Sequence, residues 1–66
     1  MNENMNNLIR KYYTLNKAIK ITTMYASYVG YINRYDTIYL DLKTNDAQIK
    51  NITIPIKMID TLELAN

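Results

Sequence analysis

The spacing of apolar residues in this chain changes once. Up to Tyr12 they fall three or four positions apart: Met5, Leu8, Ile9 and Tyr12 lie at i, i+3, i+4 and i+7, one stripe of a helix. From residue 17 onward they fall two apart, the period of a half-buried strand. In KAIKITT, Ile19 and Ile21 share a face with Thr23, while Ala18, Lys20 and Thr22 share the other. Ile38, Leu40 and Leu42 alternate with Thr37, Tyr39, Asp41 and Lys43. Ile52, Ile54 and Ile56 share one face of IKNITIPI, and Leu62 and Leu64 face inward in DTLEL. The pattern predicts a mostly β chain with a helix at about 3–13 and strands at about 17–23, 27–35, 37–43, 48–54 and 59–64. No linker or repeat interrupts it, so residues 1–66 form one domain.

The flanking residues suit these elements. Asn2 is placed to cap the helix, and Glu3 sits in its first turn. Arg10 and Lys11 fall in the last turn, where a cation complements the helix dipole, and Asn16 ends the connection. TNDAQ, residues 44–48, reads as a turn. Pro55 confines its strand to a sheet edge or a strand end.

The only glycine of the chain, Gly30, lies inside the second strand. Five short strands bury both their ends only by curling, and glycine marks the sharp bends of such sheets. The expected architecture is a strongly bent antiparallel sheet closing into a small barrel, with a corner at Gly30. The other reading of Gly30 is a simple turn that splits 28–35 into two pieces.

A chain of 66 residues buries only about 60% of its unfolded surface, so its core is marginal. Small domains add disulfides, a metal or oligomerisation. With no cysteine and no histidine, self-association is the remaining support. The same absences argue against catalysis, since neither a thiol nucleophile nor an imidazole base is present. Glu3, Asp36, Asp41, Asp46, Asp60 and Glu63 match no metal motif, so neither metal nor cofactor is expected. Asp36 reads as a turn former between two strands. No apolar run reaches the roughly 18 residues of a membrane span, and MNENMNNLIRK lacks a signal-peptide core, so the expected location is the cytoplasm. Eight basic and six acidic residues leave a net charge of +2, which permits a nucleic-acid partner without arguing for one. The abundance of Asn, Ile, Lys and Tyr, all with AT-rich codons, points to a low-GC bacterium, its phage or a plasmid.

Seven tyrosines are the most unusual part of the composition. Tyr25, Tyr28, Tyr31, Tyr35 and Tyr39 lie on or beside the second and third strands, with Arg34 among them. Exposed aromatics beside basic residues stack nucleic-acid bases on small barrels. Tyrosine also suits strands for its packing alone, ring buried and hydroxyl wet. Tyr31 and Tyr39 either pair across neighbouring strands or form a surface platform. Met5 and Met58 read as core residues.

GYINRYDTIYLDL resembles the first Sm motif, with Gly30, Ile32, Tyr35, Asp36 and then the apolar Ile38, Leu40 and Leu42. TIPIKMIDTLEL is similar to the second motif through Ile59 and Thr61, and NNLIRK resembles the start of the bacterial Sm-like RNA chaperone Hfq. The resemblance covers nearly the whole chain. Small SH3-like barrels, among them the YolD-like bacterial proteins, show a similar run. The Sm-like resemblance implies a five-stranded barrel with Tyr35 in its core, assembled into a ring by pairing the fourth strand of one copy (IKNITI) with the fifth of the next (DTLEL).

That resemblance also implies where RNA would be held, and there this chain departs from it. Ile56 and Lys57 stand at the family's Lys-His pair, and Ile38 stands where an aromatic stacks on a base. TMYAS replaces an Asn-Gly turn, while Arg10 and Lys11 remain of the basic rim cluster. Two readings result. In the first, the chain is a ring-forming Sm-like protein that binds nucleic acid, most simply single-stranded RNA, through Arg10, Lys11, Arg34, Tyr39 and Lys57. In the second, it is a phage or mobile-element interaction module, an inhibitor or adaptor that keeps the barrel, lacks base pockets and binds a host protein.

Overall fold

Asn4 starts the helix. Its backbone is extended (φ −65°, ψ 134°), and its side chain accepts a hydrogen bond from the Asn6 N–H at 2.7 Å. This satisfies one of the donors that a helix start leaves free. Asn16 ends the helix in the left-handed conformation (φ 53°), donating its N–H to the carbonyls of Tyr12 and Tyr13. The computed structural model describes residues 4–45 and 48–65. The expected cap Asn2, the first-turn Glu3 and the middle of the 44–48 turn lie outside them.

Between these caps α1 spans Met5–Leu15, and five strands follow: β1 (Ile19–Thr23), β2 (Ser27–Tyr35), β3 (Tyr39–Thr44), β4 (Asn51–Pro55) and β5 (Ile59–Leu64). One turn of 3-10 helix, Ile56–Met58, joins the last two. Because α1 runs on to Leu15, Arg10 and Lys11 sit in its middle and not in its last turn. Ile9 is fully buried on the apolar stripe, with Met5, Leu8 and Tyr12 packed around it against the core. Tyr13 meets Tyr35 of β2 edge to face, ring centroids 5.4 Å apart.

The strands form one antiparallel sheet in the order β4-β3-β2-β1-β5. Its pairing lines up rows of apolar residues across the strands: Leu62–Ile21–Tyr28, Ile32–Leu42–Ile52 and Tyr35–Leu40–Ile54. Ile19, Ile21, Leu40 and Leu42 are fully buried there, each contributing about 1.5–3 kcal/mol by leaving water. Leu64 and Ile38 depart from the alternation. Leu64, at the end of β5, is 44% exposed, and Ile38 falls in the β2–β3 turn at 62%. Among the described residues no helix is long and apolar enough to cross a membrane.

The sheet is open, which corrects the expected closure into a barrel. β4 and β5 each pair on one side only. Closure needs a ladder between them. Pro55 has no N–H to give to it, and the 3-10 turn directly after Pro55 takes the chain out of the extended conformation.

The free edge of β4 can be read from two bonds. Ile56 N–H donates to the Ile38 carbonyl and Thr44 N–H to the Lys50 carbonyl. Ladder bonds alternate along an antiparallel strand, so Ile52 and Ile54 also point their backbone groups at β3, while Asn51, Thr53 and Pro55 point theirs away. Pro55 therefore costs the sheet no bond.

Gly30 lies mid-strand in β2, between Ile19 of β1 and Thr44 of β3, which removes the turn reading. Its φ is not in the left-handed region. What requires glycine is space. A Cβ there would overlap the Lys43 carbonyl oxygen and lie 2.9 Å from its carbon and 3.1 Å from the Thr44 Cα. These are backbone atoms and cannot rotate aside.

Two bulges adjust which side chains face the core. The β2–β3 register shifts between Ile32 and Arg34, leaving Asn33 without an opposite residue. Ile32 then stays buried and Tyr35 half-buried, with Asn33 and Arg34 both outside. The same happens on β5, where Asp60 is the extra residue between Ile59 and Thr61.

The close approach at Gly30 sets a test. Gly30→Ala should destabilise the fold by about 1–3 kcal/mol, because β3 must move away from β2. In a domain of this size the melting temperature should drop by about 4–8 °C per kcal/mol. A circular-dichroism melt equal to that of the unchanged chain would show that this approach relaxes without cost.

Candidate nucleic-acid interface

The five residues expected to contact nucleic acid fall in three separate places. Arg34 is exposed on the outer face of the sheet and pairs with an acid. Its Nε donates to Asp41 Oδ2 at 2.6 Å, directly across the β2–β3 ladder. Thr53 of β4 donates its hydroxyl to the other oxygen, Asp41 Oδ1, also at 2.6 Å. Arg34, Asp41 and Thr53 thus form a polar row over three strands on the outer face of the sheet. The Thr53 hydroxyl, and then Arg34, hold the Asp41 carboxyl below its ordinary range. Asp41 in turn raises the already high pKa of Arg34. The ion pair occupies Nε on a side chain that stays 81% exposed, and exposed pairs of this kind hold their partners weakly.

Asp36 forms the β2–β3 turn, as its residue type suggests. Its Oδ1 accepts from the N–H groups of Ile38 and Tyr39, both at 2.7 Å, and its own N–H donates to the Tyr39 carbonyl. Those side-chain bonds, Tyr39 first, hold its carboxyl below the ordinary range. The turn fixes the backbone of Ile38 and Tyr39 and so sets how both side chains are presented.

Tyr39 and Lys57 come together. They border one groove of about 440 Å³ with Ile38, Ile56 and the residues Asn4, Met5 and Asn6 at the start of α1. Tyr39 is 49% exposed and lies opposite Pro55, whose ring is half-buried. Lys57 is exposed on the 3-10 turn. The groove offers an aromatic face, a cation and polar amide side chains within one surface feature.

Arg10 and Lys11 lie elsewhere, exposed on α1, where they border a shallow hollow with Thr14 and Leu15. The Lys11 ammonium also sits 5.8 Å from the centre of the Tyr12 ring. Tyr31 and Tyr39 do not pair with each other. Tyr31 is opposite Lys43 and Tyr39 opposite Pro55, at different ends of β3. Tyr35 is half-buried and packed against the core. Among the described residues no three acidic side chains gather into one cluster.

The lowered carboxyl groups of Asp36 and Asp41 set the sign of a pH effect. A folded-state pKa below the unfolded value of 3.8 stabilises the fold fully above that value and loses the contribution as pH falls through the folded pKa. The melting temperature should therefore be steady near about pH 5–7 and fall below about pH 4. Asp36→Asn combined with Asp41→Asn should flatten that fall. An acid melt with the same slope in both proteins would mean that other carboxylates dominate it.

No protein-family model, no curated protein and no solved structure matches the chain, so its functional reading rests on its own residues.

Proposed function

We propose that this chain is a nucleic-acid-binding protein of Sm-like character, assembled into a homo-oligomer through its two free strand edges and holding single-stranded RNA in the Tyr39–Lys57 groove. The observation that carries the binding reading is that Tyr39 and Lys57 share one groove. An exposed aromatic face stacks any base, and an adjacent ammonium neutralises the phosphate beside it. Ile38, Ile56 and Lys57, the positions at which the Sm-like resemblance would put base contacts, border the same groove. Tyr39 supplies there the aromatic surface that Ile38 lacks.

The assembly reading rests on the edges. Asn51 and Thr53 direct their N–H groups away from β3, and by the same alternation Leu62 and Leu64 direct theirs away from β1. Unpaired edges of this kind template strand pairing between copies. Joining β4 of one copy to β5 of the next satisfies both and repeats the groove around the assembly.

A second reading, a module that binds a host protein, is favoured by one feature. Met24 and Tyr25 form the tip of the β1–β2 hairpin, 75% and 76% exposed. The Thr23 hydroxyl holds that tip rigid by accepting from the Tyr25 and Ala26 N–H groups at 3.1 and 3.2 Å. A stiff apolar tip suits insertion into a partner's cleft.

Two measurements test the proposal. Thr53→Pro removes an outward N–H from β4 without touching the β3–β4 ladder, whereas Thr53→Val removes only the hydroxyl that Asp41 accepts from. Light scattering should give an oligomer for the unchanged chain and Thr53→Val, and smaller species for Thr53→Pro. A monomer at micromolar concentration for the unchanged chain refutes the assembly.

Binding is read by fluorescence anisotropy of labelled oligo-U and oligo-A at several salt concentrations. Tyr39→Ala should weaken affinity by about 1–3 kcal/mol with little change in salt slope. Lys57→Ala should flatten the slope by about 0.7 for each phosphate it no longer neutralises. No binding of either strand at low salt would transfer the function to the protein-interaction reading.

A further inference from the structure

Tyr31 has no role in the groove just described, and its surroundings resemble those of a base-stacking residue. It is 40% exposed and borders two adjoining hollows. On one side the hollow is shaped by Leu15, Asn16 and Lys17, and on the other by Asn16, Asn33 and Lys43. Each hollow therefore carries one lysine, with Tyr31 common to both. Lys43 faces Tyr31 directly in the β2–β3 register, which puts the two side chains on one face of the sheet, with Cβ atoms about 5 Å apart.

Three features separate this surface from an ordinary solvated strand face. First, neither hollow is bordered by an acidic residue, and neither Lys17 nor Lys43 forms an ion pair among the described residues. Arg34, on the same sheet, is clamped by Asp41. Second, Tyr31 makes no ring–ring or cation–ring contact among the described residues, so its ring is free to receive a base. Third, two amide side chains, Asn16 and Asn33, border the hollows. The helix cap sets the Asn16 backbone, and Asn33 is exposed at the β2 bulge. Amide groups of this kind pair with the donor and acceptor edges of bases. Leu15 also borders the hollow of Arg10 and Lys11, so basic residues continue from here onto α1.

We infer, resting on the nucleic-acid reading above, that the Tyr31 surface is a second contact site for single-stranded nucleic acid, with a base stacked on Tyr31 and flanking phosphates held by Lys17 and Lys43. It shares no bordering residue with the Tyr39–Lys57 groove. One strand can therefore engage both sites, or two strands can bind independently.

The test uses the full chain and a 4-thiouridine-containing oligo-U strand, cross-linked by light and mapped by tandem mass spectrometry. Trypsin separates the two sites, because Tyr31 falls in peptide 21–34 and Tyr39 in peptide 35–43. Adducts at Tyr31 are expected beside those at Tyr39. In anisotropy measurements Tyr31→Ala should weaken binding by about fivefold or more, while Tyr31→Phe, which keeps the ring, should not. Lys17→Ala with Lys43→Ala should flatten the salt slope. Adducts confined to peptide 35–43, or Tyr31→Ala binding as well as the unchanged chain, overturn the second site and leave the Tyr39–Lys57 groove standing. Absence of both adducts and binding at low salt overturns the two readings together.

Discussion

At Gly30 three strands meet within a single residue. Ile19 of β1 faces it on one side and Thr44 of β3 on the other, and the Lys43 carbonyl occupies the space that a side chain would need. This approach lets β2 act as the central strand, paired along both edges and covered by α1. The rows that build the core follow from the two registers fixed there: Leu62–Ile21–Tyr28 on one side, Ile32–Leu42–Ile52 and Tyr35–Leu40–Ile54 on the other. With nine buried apolar residues and no buried polar one among the described residues, the core has little surplus, so a displaced β3 would uncover much of it.

Strict alternation would have sent Arg34 inward and Tyr35 outward. The bulge at Asn33 prevents this, because burying an unpaired guanidinium costs far more than losing one ladder position. The bulge also aligns Arg34 with Asp41, and Thr53 completes the row from β4. A polar row across three strands keeps the outer face wetted.

The cations are spread around the molecule, on α1, at the α1–β1 connection, on β1, β2 and β3, just before β4 and on the 3-10 turn. Together with the acidic residues they leave a net charge of +2. Repetition through the β4 and β5 edges would multiply each weak site, and this is how a small chain can reach useful affinity without a deep pocket. In the proposed reading assembly and binding would be physically linked. The free β4 and β5 edges would then be the means by which dispersed contacts become collective.

The class of the fold was legible in the sequence, because helix and strand periods differ and the core residues follow them. Ile9, Ile19, Ile21, Leu40, Leu42 and Leu62 are all buried where alternation or the helical stripe puts them. Asp36 as a turn former and Pro55 on an edge were equally local, since each depends on its own backbone chemistry. The bulges left a trace, Ile32 to Tyr35 and Ile59 to Leu62, apolar residues three apart around two polar ones. The site was less legible. That Arg34 is held by Asp41, that Tyr39 shares a groove with Lys57, and that Tyr31 stands between two lysines depend on register and on which strands end beside one another. Those are set by packing between residues distant in the chain. The same holds for the open sheet: alternation within each strand determines what faces inward, but only the tertiary path after Pro55 decides whether the two edges meet.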